Sequence, residues 1–107
     1  SMTMPEHLDT DSFDRVSEGG ETWIVDFYAD WCGPCQQLAP IYEEVSEDYD
    51  DVHFGKVDMD ENSSIATQVG VKALPTLVVF EDGEEVARRT GATDEKGLRD
   101  WIESNAA

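Results

Sequence analysis

The sequence predicts an α/β fold in which a central mixed sheet is flanked by four helices. Three observations predict it. The elements alternate as β, α, β, α, β, α and end in β, β, α, so parallel βαβ units precede an antiparallel hairpin. The strand over residues 22–28 carries apolar residues on both faces, as a central strand does. Asp82-Gly83, between two strand-like segments, is typical of a tight hairpin turn.

The first elements of the chain give weak signals. Pro5 limits the first strand to a short edge strand near His7-Leu8. A helix follows, with N-cap candidates over residues 9–12 and an end at Gly19-Gly20. We expect His7 to be a surface residue.

The middle of the chain predicts one long and one short helix on either side of a strand. Apolar spacing predicts the long helix over residues 34–49. Alternation predicts a strand over residues 52–58. The short helix is capped by Asn62 or Ser63 and closed by Gly70.

The last third predicts the hairpin and a final helix. Pro75 cannot donate to a strand ladder, so it should stand at the start of the strand over residues 77–80. The Asp82-Gly83 turn joins that strand to one over residues 85–89. An amphipathic helix over residues 94–104 ends the chain and should direct three apolar side chains to the core: Leu98, Trp101 and Ile102.

Length and cysteine content limit the organisation and the compartment. The chain has 107 residues, enough for one core, and we expect a single domain over residues 1–107. Ser1-Met2 is typical of a cloning remnant, and residues 1–6 are expected to be poorly ordered. No apolar run approaches the ~20 residues of a membrane span, so we expect no membrane partner. One closely spaced cysteine pair and no signal pattern favour a reducing cytoplasm.

The charge is strongly acidic. The sequence holds 25 Asp and Glu against 7 Lys and Arg, which gives a net charge of −18. Nucleic acid is excluded as a partner because its binding requires clustered cationic side chains on the protein. Disorder is rejected because 39% of the residues are hydrophobic and they recur with clear periodicity. Acid-rich surfaces suit high salt, where self-repulsion is screened, so we hypothesise a halophilic source.

The two cysteines, Cys32 and Cys35, are the only ones in the chain and stand where a strand ends and a helix begins. The first N–H groups of a helix have no intrahelical partner, and the helix dipole is positive there. A thiolate at Cys32 is therefore stabilised, which should lower the pKa of this thiol. Pro34 suits the first helical turn, where its missing N–H costs nothing.

The spacing of the pair favours a bond that opens and closes. Residues three apart on a helix have Cβ atoms roughly 5–6 Å apart, near the reach of a disulfide. Closing so small a loop stabilises the fold by only about 2 kcal/mol, so the bond is a poor brace. Three alternatives stay open: a structural disulfide, a zinc site completed by His7 and His53, and two inert buried cysteines.

Two charged residues stand out near the pair. Asp26 interrupts the apolar strand, and desolvation there should raise its pKa. It is either a proton acceptor beneath the cysteines, a core carboxyl with satisfied hydrogen bonds, or a strand-end residue that reaches water. Lys56 could pair with Asp26 if their strands are neighbours, or be a plain surface lysine. His53 is expected to be a packed or edge residue.

Over nearly its full length the sequence resembles the thioredoxin family. Residues 25–35, from Val25 to Cys35, resemble the family's strand and active-site motif almost residue for residue. Pro40 matches the kink in its active-site helix, and Leu74-Pro75-Thr76 resembles its cis-proline loop. Residues 80–83 resemble its hairpin, and Gly91 falls where the family keeps a glycine. The resemblance implies a thioredoxin fold and a protein-disulfide reductase that works by dithiol–disulfide exchange.

The resemblance also implies roles for the site residues. Cys32 would be the exposed nucleophile and Cys35 the buried resolving thiol, joined as a redox-active disulfide. Asp26 would assist proton transfer at Cys35, and Lys56 would modulate Asp26. Pro75 in cis would face the sulfurs, keep metals away and let the adjacent backbone pair with an extended substrate.

The remaining implied residues tune the couple or bind substrate. Gly33 and Pro34 would set the redox properties of the pair. The apolar contact rim would consist of Trp31, Gly33, Ala73, Leu74, Gly91 and Ala92. The partners implied are thioredoxin reductase and disulfide-containing client proteins, with no cofactor beyond the Cys32–Cys35 disulfide. A monomer that keeps cytoplasmic proteins reduced and donates electrons to reductive enzymes is expected.

The sequence differs from the family pattern beside the cysteines, and other proteins of this fold have different functions. Gln36 stands where family members often carry a basic residue, and no Lys or Arg occurs between Arg15 and Lys56. Thiolate stabilisation must then come from helix N–H groups. Isomerases and oxidants of this fold usually have histidine where Pro34 stands, so Pro34 favours a reductant. The non-enzymatic rival is a binding subunit of the same fold.

Overall fold

The computed structural model describes residues 4–106. Its elements in chain order are β1 (Glu6–His7), α1 (Asp14–Ser17), β2 (Thr22–Tyr28), α2 (Gly33–Ser46), β3 (His53–Asp58), α3 (Ser63–Val69), β4 (Thr76–Glu81), β5 (Glu84–Thr90) and α4 (Glu95–Asn105). The predicted element order is confirmed. The interpretation of Ser1-Met2 concerns residues outside the described range.

The sheet has the strand order β1-β3-β2-β4-β5. β3 is parallel to both β1 and β2, whereas β4 is antiparallel to β2 and β5 to β4. This is the predicted mixed sheet, in which parallel units precede an antiparallel hairpin. β2 is its central strand, so the residues that follow Tyr28 leave the middle of the sheet.

Two hydrophobic clusters cover the two faces of the sheet. One contains Trp23, Val25 and Phe27 from β2, and the other contains Ile24 together with residues of α2 and α4. The Tyr42 hydroxyl fixes α2 to the sheet, because it lies 2.9 Å from both the Ile24 and the Gly55 carbonyl oxygens. α2 therefore holds a fixed position above the even-numbered residues of β2, which include Asp26.

The hairpin between β4 and β5 forms at Asp82-Gly83 as predicted. Both residues have positive φ, 53° at Asp82 and 84° at Gly83. That backbone matches the twist of the flanking strands and favours glycine. A Cβ at Gly83 would also collide with the Ser17 carbonyl oxygen, so this turn packs against the end of α1.

The first elements differ from their predictions. The Asp9 carboxylate accepts hydrogen bonds from the N–H groups of Asp11 and Ser12, at 3.0 and 2.8 Å. This side chain stabilises a turn in place of a helical start, so α1 begins only at Asp14. β1 includes Glu6, whose carboxylate pairs with Arg15. Part of the segment predicted to be poorly ordered therefore forms a strand.

Several other boundaries also differ. α2 ends at Ser46, three residues before the predicted Tyr49. Asn62 occupies the N-cap position of α3 but its side chain donates to the Asp58 carbonyl oxygen, so the expected side-chain cap does not form. α4 runs from Glu95 to Asn105, one residue later at each end than predicted, and the Asp94 carboxylate caps it by accepting from the Gly97 N–H at 2.8 Å. Within residues 4–106, no helix is long and apolar enough to cross a membrane.

Candidate active site

The two cysteines form a disulfide at the N-terminus of α2. Cys32 is the N-cap residue, and its Sγ accepts a hydrogen bond from the Cys35 N–H at 3.2 Å. Their Cα atoms are 5.2 Å apart, and Pro34 lies in the first turn. The predicted location at a strand–helix junction is confirmed. The Cys35 N–H and the positive end of the helix dipole both favour a thiolate at the Cys32 sulfur.

Both cysteines are buried in the disulfide form. Cys32 is 6% exposed and Cys35 is 3% exposed. The expectation of an exposed Cys32 is therefore wrong for this form, although the order of exposure is as expected. The burial of the two cysteines results from local packing, because Tyr28 and Leu74 cover a small cluster formed by the cysteines and Ala29.

Asp26 lies on β2 and is 1% exposed. Neither of its carboxyl oxygens has a hydrogen-bond partner among residues 4–106. Burial raises the pKa of this carboxyl to about 7, and the positive charge of Lys56 opposes the rise. The expected direction is confirmed. At 1% exposure this side chain is too buried for the strand-end alternative, and no group within residues 4–106 satisfies it as the core alternative required.

Lys56 lies directly opposite Asp26 in the parallel register of β2 and β3. The strands are neighbours, as the pairing hypothesis required, but the two side chains form no ion pair. The Lys56 Nζ atom instead lies 4.5 Å from the centre of the Tyr28 ring. The Lys56 charge thus opposes the burial effect on the Asp26 pKa without a direct ion pair, and its ammonium lies over the Tyr28 ring.

The loop before β4 approaches the disulfide. The Leu74–Pro75 peptide bond is cis, as the resemblance implied, and Pro75 directly precedes β4. Leu74 packs against the cysteine cluster. The Gly91 N–H donates to the Pro75 carbonyl oxygen at 2.8 Å, which brings the segment after β5 beside this loop.

The rim residues differ in exposure. Trp31 is 72% exposed, although its Nε1–H donates to the Asp60 carboxylate at 2.9 Å. Gly33, Ala73 and Ala92 are exposed, whereas Leu74 and Gly91 are half-buried. Sequence reasoning missed the Asp60 contact because the two residues are 29 positions apart and the acidic segment around Asp60 carries no pattern that points to an indole.

Gln36 and the histidines have structural contacts. The Gln36 amide donates to the Asp30 carbonyl oxygen at 2.8 Å, so it braces the turn before the cysteines. The His53 Nε2 lies 2.7 Å from a Glu21 carboxylate oxygen and the ring stacks on Trp23. The His7 Nδ1 lies 3.5 Å from the Tyr28 hydroxyl. In the part of the chain that the structure describes, no three His, Cys, Asp or Glu residues form a group suited to a metal ion.

Comparison with known proteins identifies relatives along the whole chain. The family model described as Thioredoxin matches residues 4–104. A thioredoxin of Chlamydia pneumoniae is 40% identical over 103 residues, which span 96% of this chain and 100% of that protein.

Solved structures of thioredoxins also match this chain. A Malassezia sympodialis thioredoxin is 36% identical, with a TM-score of 0.86 over 100% of this chain and 97% of that one. A thioredoxin mutant from Halobacterium salinarum is 42% identical, with a TM-score of 0.86 over 97% of this chain and 92% of that one.

Proposed function

Because this chain belongs to the thioredoxin family, whose proteins reduce protein disulfides by dithiol–disulfide exchange, we propose that Cys32 is its attacking thiolate and Cys35 its resolving thiol. The observation that carries this assignment is the hydrogen bond from the Cys35 N–H to the Cys32 Sγ, at 3.2 Å. A donor at the N-terminus of α2 stabilises negative charge on the Cys32 sulfur. Cys35 lies at the third position of the helix, and its own N–H is the donor of this bond, so the stabilising contact falls on the Cys32 sulfur.

The exchange proceeds in two displacements. The Cys32 thiolate attacks one sulfur of the substrate disulfide, so a mixed disulfide forms and the other substrate sulfur leaves as a thiolate. Cys35 then loses its proton and attacks the Cys32 sulfur. The Cys32–Cys35 bond forms, the mixed disulfide breaks, and the substrate leaves with both thiols. Two electrons have moved from the cysteine pair to the substrate.

Asp26 is the proposed acceptor of the Cys35 proton. Its pKa of about 7 lets the carboxyl take and release a proton near neutral pH. An acceptor with an ordinary carboxylate pKa would hold a proton too weakly to draw it from a thiol. Lys56 is proposed to modulate this pKa, because its charge opposes the effect of burial.

Substrate would bind as an extended segment across the loop around Pro75. The backbone beside Pro75 would pair with it, and the proposed apolar rim surrounds that position with Trp31, Gly33, Ala73, Leu74, Gly91 and Ala92. Trp31 is suited to this because its indole combines 72% exposure with an orientation fixed by Asp60. Gly33 and Pro34 are proposed to tune the couple through the geometry of the helix start.

The partners follow from the chemistry. Members of this family act on proteins that contain disulfides, and the oxidised pair must be reduced again before the next cycle. We propose thioredoxin reductase as the electron donor, the cytoplasm as the compartment and a monomer as the active form. The halophilic source stays a proposal supported by the net charge of −18.

Trapping tests the cysteine roles. In Cys35→Ser the mixed disulfide cannot be resolved, so lysate proteins should accumulate on Cys32 as bands on a non-reducing gel that dithiothreitol removes. Cys32→Ser is the matched control, since it keeps one cysteine and should trap little. Equal trapping by both variants would refute the role assignment.

A turbidity assay separates the enzyme from the binding-subunit rival. Dithiothreitol-driven precipitation of insulin should be accelerated by the wild-type protein and not by the variant in which both cysteines are serine. No acceleration by the wild type would favour a binding subunit.

A further inference from the structure

One face of the sheet gathers Asp26, Lys56 and Tyr28 beneath α2. Asp26 and Lys56 are register partners, and Tyr28 follows two positions later on β2, so its side chain leaves the sheet on the same side. The Lys56 Nζ lies 4.5 Å from the centre of the Tyr28 ring. Neither Asp26 oxygen has a hydrogen-bond partner in the described part of the chain. The cation is thus seated on the ring, next to a carboxyl that it does not touch.

We propose that Tyr28 is a positioning residue for disulfide exchange: its ring face holds the Lys56 ammonium within electrostatic range of Asp26 and out of a salt bridge with it. The inference rests on the proposed role of Asp26 as proton acceptor. Tyr28 itself is not assigned a proton-transfer step.

An intermediate separation matters because both extremes would disable a proton acceptor. A direct ion pair would keep Asp26 ionised and lower its affinity for the Cys35 proton. A distant lysine would leave burial unopposed, and the carboxyl would retain its proton. A cation held at a fixed distance keeps the Asp26 carboxyl between permanent ionisation and permanent protonation, which is what an acid–base catalyst near neutral pH requires.

The groups around Lys56 show why the position of its ammonium has to be fixed by another residue. A surface cavity of about 200 Å³ borders Lys56 and Tyr28 and gives solvent access to the ammonium. Carboxylates of Asp9, Asp58 and Glu61 also line it, and each could attract the lysine away from Asp26. Other titratable groups near these residues in the described part of the chain are His7 on β1, 3.5 Å from the Tyr28 hydroxyl, and Asp30 after β2, whose charge acts on Tyr28. Tyr42 on α2 interacts with Asp26. Despite these competitors, the ammonium lies on the ring.

Tyr28 also links this arrangement to the reacting sulfurs. Its side chain packs against the cluster formed by Ala29, Cys32 and Cys35. The same residue therefore contacts the cysteine cluster on one side and the cation beside Asp26 on the other. A substitution at Tyr28 should act on proton equilibria without removing any titratable group that the mechanism uses.

A double-mutant cycle tests the proposal, with the Asp26 carboxyl titrated by ¹³C NMR in the oxidised protein. Lys56→Met should raise the proton affinity of Asp26 severalfold, on the order of three- to tenfold, because it removes the nearby positive charge. Tyr28→Leu should raise it in the same direction, since the ammonium is released to solvent and to the other carboxylates. Tyr28→Phe, which keeps the ring and loses the hydroxyl, should titrate as the wild type does. In the Lys56→Met background, Tyr28→Leu should add nothing.

Two outcomes of the mutant cycle would overturn the proposal. Tyr28→Leu could leave the Asp26 titration unchanged, or it could shift the titration equally with and without Lys56, which would mean that Tyr28 acts only through burial. A measurement on the wild-type protein tests the contact between Lys56 and Tyr28 even if a variant fails to fold. The ε-methylene protons of Lys56 should be displaced upfield by the ring, and random-coil positions for them would refute the contact.

The proposed role of Asp26 is tested separately. The resolution rate of a mixed disulfide at neutral pH should fall in Asp26→Asn, and its pH profile should move in Tyr28→Leu but not in Tyr28→Phe. An unchanged rate in Asp26→Asn would refute the acceptor role, and the NMR cycle would still decide whether Tyr28 holds Lys56.

Discussion

Replacing Asp26 by asparagine should stabilise the oxidised protein at neutral and alkaline pH, and less so in acid. Asp26 is 1% exposed and has no hydrogen-bond partner among residues 4–106, so the fold disfavours its charged form. Burial raises its pKa in the folded state to about 7, from a reference value of 3.8. Between these values the folded chain holds the proton and the unfolded chain has released it.

The size of the effect follows from that displacement. Stability contributed by Asp26 is complete below the unfolded pKa of 3.8 and is lost as the pH rises through the folded pKa of about 7. A difference of about three pH units corresponds to about 4 kcal/mol of unfolding free energy. Asparagine does not ionise, so the variant avoids this loss. Its advantage over the wild type should grow by about 1.4 kcal/mol per pH unit across the window and level off above it.

Urea denaturation measures this difference, with both proteins in molar KCl to screen the general surface charge. Asp30→Asn, at an exposed position, is the matched control for the loss of one negative charge. Because this control removes a carboxylate from an exposed position, the effect of burial is the pH dependence that Asp26→Asn shows beyond it. A difference between Asp26→Asn and the wild type that varies no more with pH than that of Asp30→Asn would refute the argument from burial.

Three further predictions concern the surface, the hairpin and the rim. Thermal unfolding should shift to higher temperature between low salt and molar KCl, because 25 acidic residues face 7 basic ones; a midpoint that stays constant or falls would contradict this. Gly83→Ala should lower the free energy of unfolding by about 2 kcal/mol, since φ is 84° and the Cβ meets the Ser17 carbonyl, whereas Gly20→Ala should change it little; similar urea midpoints would disprove the strain argument. Asp60→Ala should raise the KM for insulin about two- to threefold by freeing the Trp31 indole, and Asp60→Asn, which keeps an acceptor oxygen, should not; matching KM values for the two variants would remove the role of this bond.

Periodicity and turn chemistry predicted the elements of the sheet, because both are local. β2 was predicted over its full extent, Thr22–Tyr28, since a central strand is apolar on both faces. The hairpin could also be predicted from the sequence, since Asp82-Gly83 is suited to the positive φ angles found there. α1 was predicted to start too early because the Asp9 side chain competes with the helix for the N–H groups that follow it.

The candidate site was predicted in its parts but not in its contacts. The sequence indicated that Asp26 and Lys56 could be neighbours, and the register confirms this. It could not indicate that the Lys56 ammonium lies on the Tyr28 ring, because that depends on side-chain conformation and on competing carboxylates around one cavity. The bond between Trp31 and Asp60 was inaccessible for the same reason, since the loops that carry the two residues meet only in the folded chain.

Equilibration of the purified protein with glutathione buffers of graded potential tests the central claim most directly. The Cys32–Cys35 bond should open and close reversibly within the range of cytosolic poise, as a two-electron couple whose ratio of oxidised to reduced protein changes tenfold per roughly 30 mV. A bridge that stays closed throughout that range, or never closes within it, would contradict the account.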